Sequence, residues 1–190
     1  MRMKINQFKH GDTLLIHIPW EWNKIETYSG ACIRFFINMW NKLTNEPHCR
    51  FNHAESIVEI DNILYAFGAI KNGFKQRYLE EILEKKIPEN YLILTPRFNY
   101  DKELYKEQAI KWKDIKYDYA GTFFHQLIRL TSFELIWIGK KGEKANKKLY
   151  CTEAAKGLYY YAGKEDYCDF PKCDPEDLFN SLEFDKKLAI

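Results

Sequence analysis

The chain has 190 residues, 46% of them hydrophobic, enough to bury one sizeable core and to favour a single domain over residues 1–190. Its 29 basic and 27 acidic residues nearly cancel to a formal charge of +2, so the broad basic footprint of a nucleic-acid binder is missing and no such partner is expected. Five cysteines with no Cys-x-x-Cys pair argue against a disulfide framework and fit a reducing compartment.

The opening run Met1-Arg2-Met3-Lys4-Ile5-Asn6-Gln7 lacks the apolar core of a secretory signal, so the expected location is cytoplasmic. Gly11-Asp12 leads into a strand over Thr13 to Ile18. Pro19, Trp20 and Trp22 then begin a helical insertion at about 20–47. Within it, between Ile25 and Leu43, residues such as Cys32, Phe35, Phe36, Met39 and Trp40 form a broad apolar stripe. That stripe reads either as core or as an apolar wall beside a substrate cleft. His48, Cys49 and His53 lack the second short-spaced ligand pair of a zinc site, and neither a metal nor another cofactor is expected.

From His53 to Ile60 the chain reads as a strand, and its period of two places His53, Glu55 and Ile57 on one face. Glu55 can therefore lie beside His53, although two solvated residues on a half-exposed strand would look the same. Ile63 to Phe67 reads as the strand paired after Asp61-Asn62, and Asn72-Gly73 as a turn before a charged helix near Gln76 to Lys86. A strand follows from Tyr91 to Thr95. Asp101 then opens an amphipathic helix through Lys113, acidic early and lysine-rich late, as the helix dipole favours.

Tyr117-Asp118-Tyr119 can supply a phenol to a reacting carbonyl, or merely a buried tyrosine and a capping Asp118. The apolar segment Tyr119 to Gly139 is interrupted by His125, Gln126, Arg129 and Glu134, so no transmembrane segment is expected. Lys140 to Lys148 is a basic run that is either solvated or steers an anionic substrate. Cys168 and Cys173 read as two loop thiols rather than a bridge.

Cys151 opens a helix directly after Leu149 and Tyr150. Unpaired amides and partial positive charge at a helix N-terminus favour thiolate and can hold an oxyanion. The same cysteine also fits a small buried apolar side chain. Glu153, in the first turn of that helix, slightly opposes thiolate and reads as solvent-exposed or capping.

Five segments in order, Gly11-Asp12-Thr13-Leu14-Leu15-Ile16, Asn52-His53-Ala54-Glu55, Lys116-Tyr117-Asp118-Tyr119-Ala120-Gly121, Tyr150-Cys151-Thr152-Glu153-Ala154 and Asp174-Pro175-Glu176-Asp177-Leu178, carry a likeness. Together they resemble the permuted papain-like cysteine hydrolases of the NlpC superfamily, especially the YiiX-like branch, with histidine before cysteine as in the permuted members. The last segment resembles that family's closing Pro-x-Asp-Leu turn. The resemblance implies an α+β fold: a small, mainly antiparallel sheet or partial barrel packed against helices. It also implies Cys151 as nucleophile and His53 as base. The family's third catalytic residue often stands about twelve positions beyond the histidine, which here is Tyr65, neither carboxylate nor imidazole. The orienting role therefore moves to Glu55, with Tyr65 or a backbone carbonyl as the other choices, and Tyr117 is a possible oxyanion or substrate contact.

The activity the resemblance implies is hydrolysis of an amide in a peptide or cell-wall-type peptide through an acyl-enzyme. A lipid acyl hydrolase or acyltransferase would use the same Cys-His pair, and a non-catalytic peptide- or lipid-binding module would keep only the cleft.

Overall fold

In the computed structural model the described residues are 5–17, 51, 53–70, 72–84, 91–118, 148–168 and 175–188. The expected helical insertion at 20–47 with Phe36, the His48-Cys49 pair, the 119–139 segment, the basic run up to Lys147 and Cys173 lie outside them.

The fold is α+β, built on one open, antiparallel sheet. Its strands are β1 (Thr13–Ile16), β2 (His53–Ile60), β3 (Ile63–Ile70), β4 (Gly73–Tyr78), β5 (Tyr91–Pro96) and β8 (Phe184–Leu188). They lie in the order β4-β3-β2-β1-β5-β8, with β4 and β8 as separate edges rather than partners, so the sheet is not the partial barrel held open by the sequence. A second, two-stranded parallel sheet joins β6 (Lys116–Tyr117) to β7 (Lys148–Leu149). The helices are α1 (Leu79–Glu84), α2 (Lys102–Trp112), α3 (Cys151–Tyr161) and α4 (Pro175–Asn180).

Local chemistry accounts for most of these boundaries. Asp61 and Asn62 both have positive φ, the two-residue turn that matches strand twist in a hairpin, so β2 returns directly as β3. Asp101 Oδ1 accepts from the amides of Glu103 and Leu104 and starts α2. Gly11 has φ +83°, and a Cβ there would meet the Tyr100 hydroxyl at 1.6 Å; that hydroxyl donates to the His10 carbonyl at 3.0 Å. Asp12 is buried and fixes the entry to β1, accepting from the Lys9 amide at 2.9 Å and the Thr95 hydroxyl at 2.8 Å.

Two readings change. The stretch expected as helix from Gln76 is strand through Tyr78, because it pairs along β3, and helix begins only at Leu79. The segment resembling a closing turn is helical from Pro175, with Leu178 buried in the core.

Both faces of the sheet are covered. On one, Ala54, Val58, Phe67 and Leu94 pack with Tyr105, Ala109 and Trp112 of α2 and Ala154, Ala155 and Leu158 of α3. On the other, Leu14, Ile16, Ile57 and Tyr91 pack with Phe8 and with Leu79, Ile82 and Leu83 of α1. The central strand β2 is therefore buried over His53 to Val58 rather than half exposed.

Candidate active site

Helix α3 approaches the sheet closely because the facing residues are small. Ala54 on β2 and Ala154 and Ala155 on α3 are all buried in one cluster, and that approach brings the first residue of α3 to the start of β2. Cys151 and His53 meet there. Both are buried, at 6% and 8% exposure, so their mutual interaction is poorly screened by water.

His53 Nε2 and Glu55 Oε1 are 3.0 Å apart. Glu55 is 1% exposed, and a second contact to the same Oε1 comes from Arg77 Nη2 on β4. With Nε2 engaged by the carboxylate, Nδ1 is the ring nitrogen left for the Cys151 thiol. Burial by itself pushes His53 down, but hydrogen bonding to Cys151 and Glu55 and the negative charge of both raise it to about 9. Burial pushes the Cys151 thiol up; the hydrogen bond and positive charge of His53, with the amides of Ala54 and Thr152, override it and leave the thiol below its ordinary value. The two shifts run in opposite directions, as a thiolate-imidazolium pair requires.

Space for Glu55 comes from Gly68. The residues face each other across β2 and β3, and a Cβ at Gly68 would lie 2.8 Å from Glu55 Cγ. A glycine inside a strand signals such a close approach, but the strand expected from the sequence stops at Phe67, one residue short of Gly68. Arg77 was not legible either, because its segment reads as helix there.

Tyr65, the other side-chain choice for the orienting role, does not reach His53. It pairs with Val58, on the opposite face of β2 from Glu55, and its ring packs on Tyr78 with centroids 5.0 Å apart. Residue 117 lies beside Leu149 in the β6–β7 pair, two positions before Cys151, and the Asp118 amide donates to the Leu149 carbonyl at 3.0 Å. The Tyr117 side chain is half-buried against the core. Glu153 caps the helix, Oε2 accepting from the Tyr150 amide at 3.2 Å, but it is buried rather than exposed. Burial first, then the charges of Asp118 and Cys151, hold its carboxyl well above the ordinary range.

No family model and no curated protein matches the sequence. Among solved structures, the chain is similar to the crystal structure of metalloprotein yiiX from Escherichia coli O157:H7, with a TM-score of 0.58, covering 96% of this chain and 97% of that one at 11% identity. The fold is yiiX-like. At that identity the match speaks for architecture alone. yiiX is named a metalloprotein, and a protein metal site takes three or more ligand side chains gathered at one point. Among the described residues no three His, Cys, Asp or Glu side chains gather as a metal site, and the His53 and Glu55 side chains are bonded to each other. No helix among them is long and apolar enough to cross a membrane.

Proposed function

We propose that this chain is a thiol-dependent hydrolase of the permuted papain-like type, formed by residues 1–190 as one domain. Cys151 is its nucleophile, His53 its acid and base, and Glu55 the residue that orients His53. The observation that carries the reading is the buried row Cys151, His53, Glu55, in which thiol and imidazole shift each other's protonation in opposite directions.

The chemistry follows from that row. Cys151 thiolate adds to the carbonyl carbon, forming a C–S bond while the carbonyl π pair moves to oxygen. Amides at the start of α3, with the Tyr117 hydroxyl, stabilise that oxyanion. As it collapses, the C–N bond breaks and the leaving amine takes the proton of the His53 imidazolium. Neutral His53 then removes a proton from water, which attacks the thioester and releases acid and thiolate. Glu55 keeps the ring in place and stabilises its charged form in both steps. The substrate class is an amide of peptide or cell-wall-peptide type.

Acyl-enzyme trapping tests this reading. A reactive ester such as p-nitrophenyl acetate, followed by peptide mass spectrometry, is expected to leave an acetyl group on Cys151, and Cys151→Ala is expected to abolish turnover. Acylation elsewhere on a folded protein, with Cys151 unmodified, would remove the hydrolase reading in favour of a binding module.

A further inference from the structure

Arg77 and Glu55 stand on strands that are not neighbours. Arg77 of β4 pairs with Ala66 of β3, and Glu55 of β2 lies against Gly68, one step beyond the Ser56–Phe67 pair, so the guanidinium reaches Glu55 diagonally across β3. The intervening β3 residues, Ala66 and Gly68, leave room for that reach, and the guanidinium meets the same oxygen of Glu55 that binds His53. We propose that Arg77 is a positioning residue for the Cys151–His53 pair, acting through Glu55 to hold the carboxylate in place and to balance the charge of the buried row. The proposal rests on the thiol-hydrolase reading above and extends it to a residue outside the triad.

The charges alternate along the row: thiolate, imidazolium, carboxylate, guanidinium. With Arg77 the row is neutral; without it, a net negative charge remains around a carboxylate that is 1% exposed, and isolated buried charge is strongly disfavoured. A planar guanidinium suits this task because it donates in a fixed direction and does not deprotonate. Arg77 itself remains about one-third exposed, its side chain at 29%, so its own desolvation is partial.

Glu55 is faced from β2 by His53, itself facing Cys151 from α3; from β4 by Arg77; and from β5 by Tyr91. The Tyr91 hydroxyl is buried with no hydrogen-bond partner among the described residues, and burial, then the charge of Glu55, hold it protonated. Lys75, on the same face of β4, is paired instead with Asp114. Leu14 and Ile16 of β1 and Leu79, Ile82 and Leu83 of α1 form an apolar cluster on that face. Arg77 thus brings a cation to Glu55 from a strand other than that of His53. Without Arg77 the Glu55 carboxylate is unbalanced and its negative charge bears fully on His53 and Cys151, making their protons harder to lose; with Glu55 neutral there is no such charge for Arg77 to balance. The acid limb of Cys151 reactivity therefore moves to higher pH when Arg77 is neutralised.

The test is the pH dependence of iodoacetamide alkylation at Cys151 in wild type, Arg77→Gln, Arg77→Lys, Glu55→Gln and the Glu55→Gln/Arg77→Gln double variant, with folding checked by circular dichroism. Arg77→Gln is expected to move the acid limb up by about one pH unit, Arg77→Lys to restore it, and the double variant to coincide with Glu55→Gln. An unmoved limb in folded Arg77→Gln overturns the proposal, as does an equal shift with Glu55 already neutral. If Arg77→Gln alone does not fold, the double variant decides, since it leaves no unbalanced carboxylate: coincidence with Glu55→Gln supports action through Glu55 and a separate limb contradicts it. A wild-type limb no lower than that of an ordinary thiol would instead sink the hydrolase reading on which the proposal rests.

Discussion

His53 Nε2 lies 3.0 Å from Glu55 Oε1, two residues along the same strand. The pleat puts the two side chains on one face, so the carboxylate that orients the imidazole comes from β2 itself. One consequence is a two-step pH profile. Cys151 is lowered and His53 raised to about 9, so the thiolate-imidazolium pair exists between those limits. Alkylation of Cys151 is expected to rise first below the ordinary thiol range and again at about 9, where His53 gives up its proton and leaves a more basic thiolate. Glu55 raises His53, so Glu55→Gln is expected to bring the upper step down by about one pH unit, read from the same alkylation curve.

Gly68 is expected to tolerate no side chain. A Cβ would lie 2.8 Å from Glu55 Cγ, so Gly68→Ala must displace the carboxylate or the strand. Overpacking of this kind costs about 1–3 kcal/mol, and a displaced Glu55 no longer holds His53. A thermal melt and the Cys151 alkylation rate should fall together, whereas a loss of stability with unchanged alkylation would show that Glu55 had stayed in place.

Glu153 carries a stability prediction whose sign is counterintuitive for a charged residue. Its folded-state pKa is raised well above 4.5, chiefly by burial. The stabilisation linked to its proton is complete below the unfolded value of about 4.5 and is lost as pH rises through the folded value. Glu153→Gln keeps an oxygen for the Tyr150 amide and removes that linkage. It should therefore match wild type in acid and be more stable in alkali, with Tm higher by about 2–4 °C for each kcal/mol gained. Denaturation curves in acid and alkaline buffer check this; a variant less stable at both would contradict it.

Tyr159 gives the contrasting case of a residue that supports the fold away from the pair. Its buried hydroxyl donates to the Gly11 carbonyl and lies 3.1 Å from the Thr13 hydroxyl, joining α3 to the entry of β1. Tyr159→Phe leaves those groups short of a partner and should cost about 1–3 kcal/mol in urea unfolding. The pH limbs of Cys151 alkylation should not move; a shifted limb would place the tyrosine in the electrostatics of the site.

The pattern of His53, Glu55 and Ile57, the two-residue turn at Asp61-Asn62 and the helix beginning at Cys151 were legible because each depends on short-range rules of period, turn and cap. Arg77 was hidden by the same reasoning. Gln76, Arg77 and Tyr78 are polar or half-exposed on an edge strand, so they show no apolar alternation, and the following Leu79 to Glu84 helix draws them into its reading. Tyr65 shows the limit of counting along the chain. Twelve positions beyond His53 the hairpin register sets it opposite Val58, on the wrong face, and only pairing across the sheet reveals this. Gly68 was missed because the expected strand stops at Phe67; only the longer observed strand makes it an interior glycine that marks a close approach.

The central claim is that Cys151 and His53 form an activated pair. Its most direct test is iodoacetamide alkylation from about pH 4 to about pH 10, with the modified residue located by mass spectrometry, in wild type, His53→Ala and Cys151→Ala. The account predicts selective modification of Cys151 well below the ordinary thiol range, a limb that moves up toward that range in His53→Ala, and no reaction at this position in Cys151→Ala. Alkylation of Cys151 in the folded protein only with the limb of an ordinary or buried thiol, unchanged by loss of His53, would contradict it.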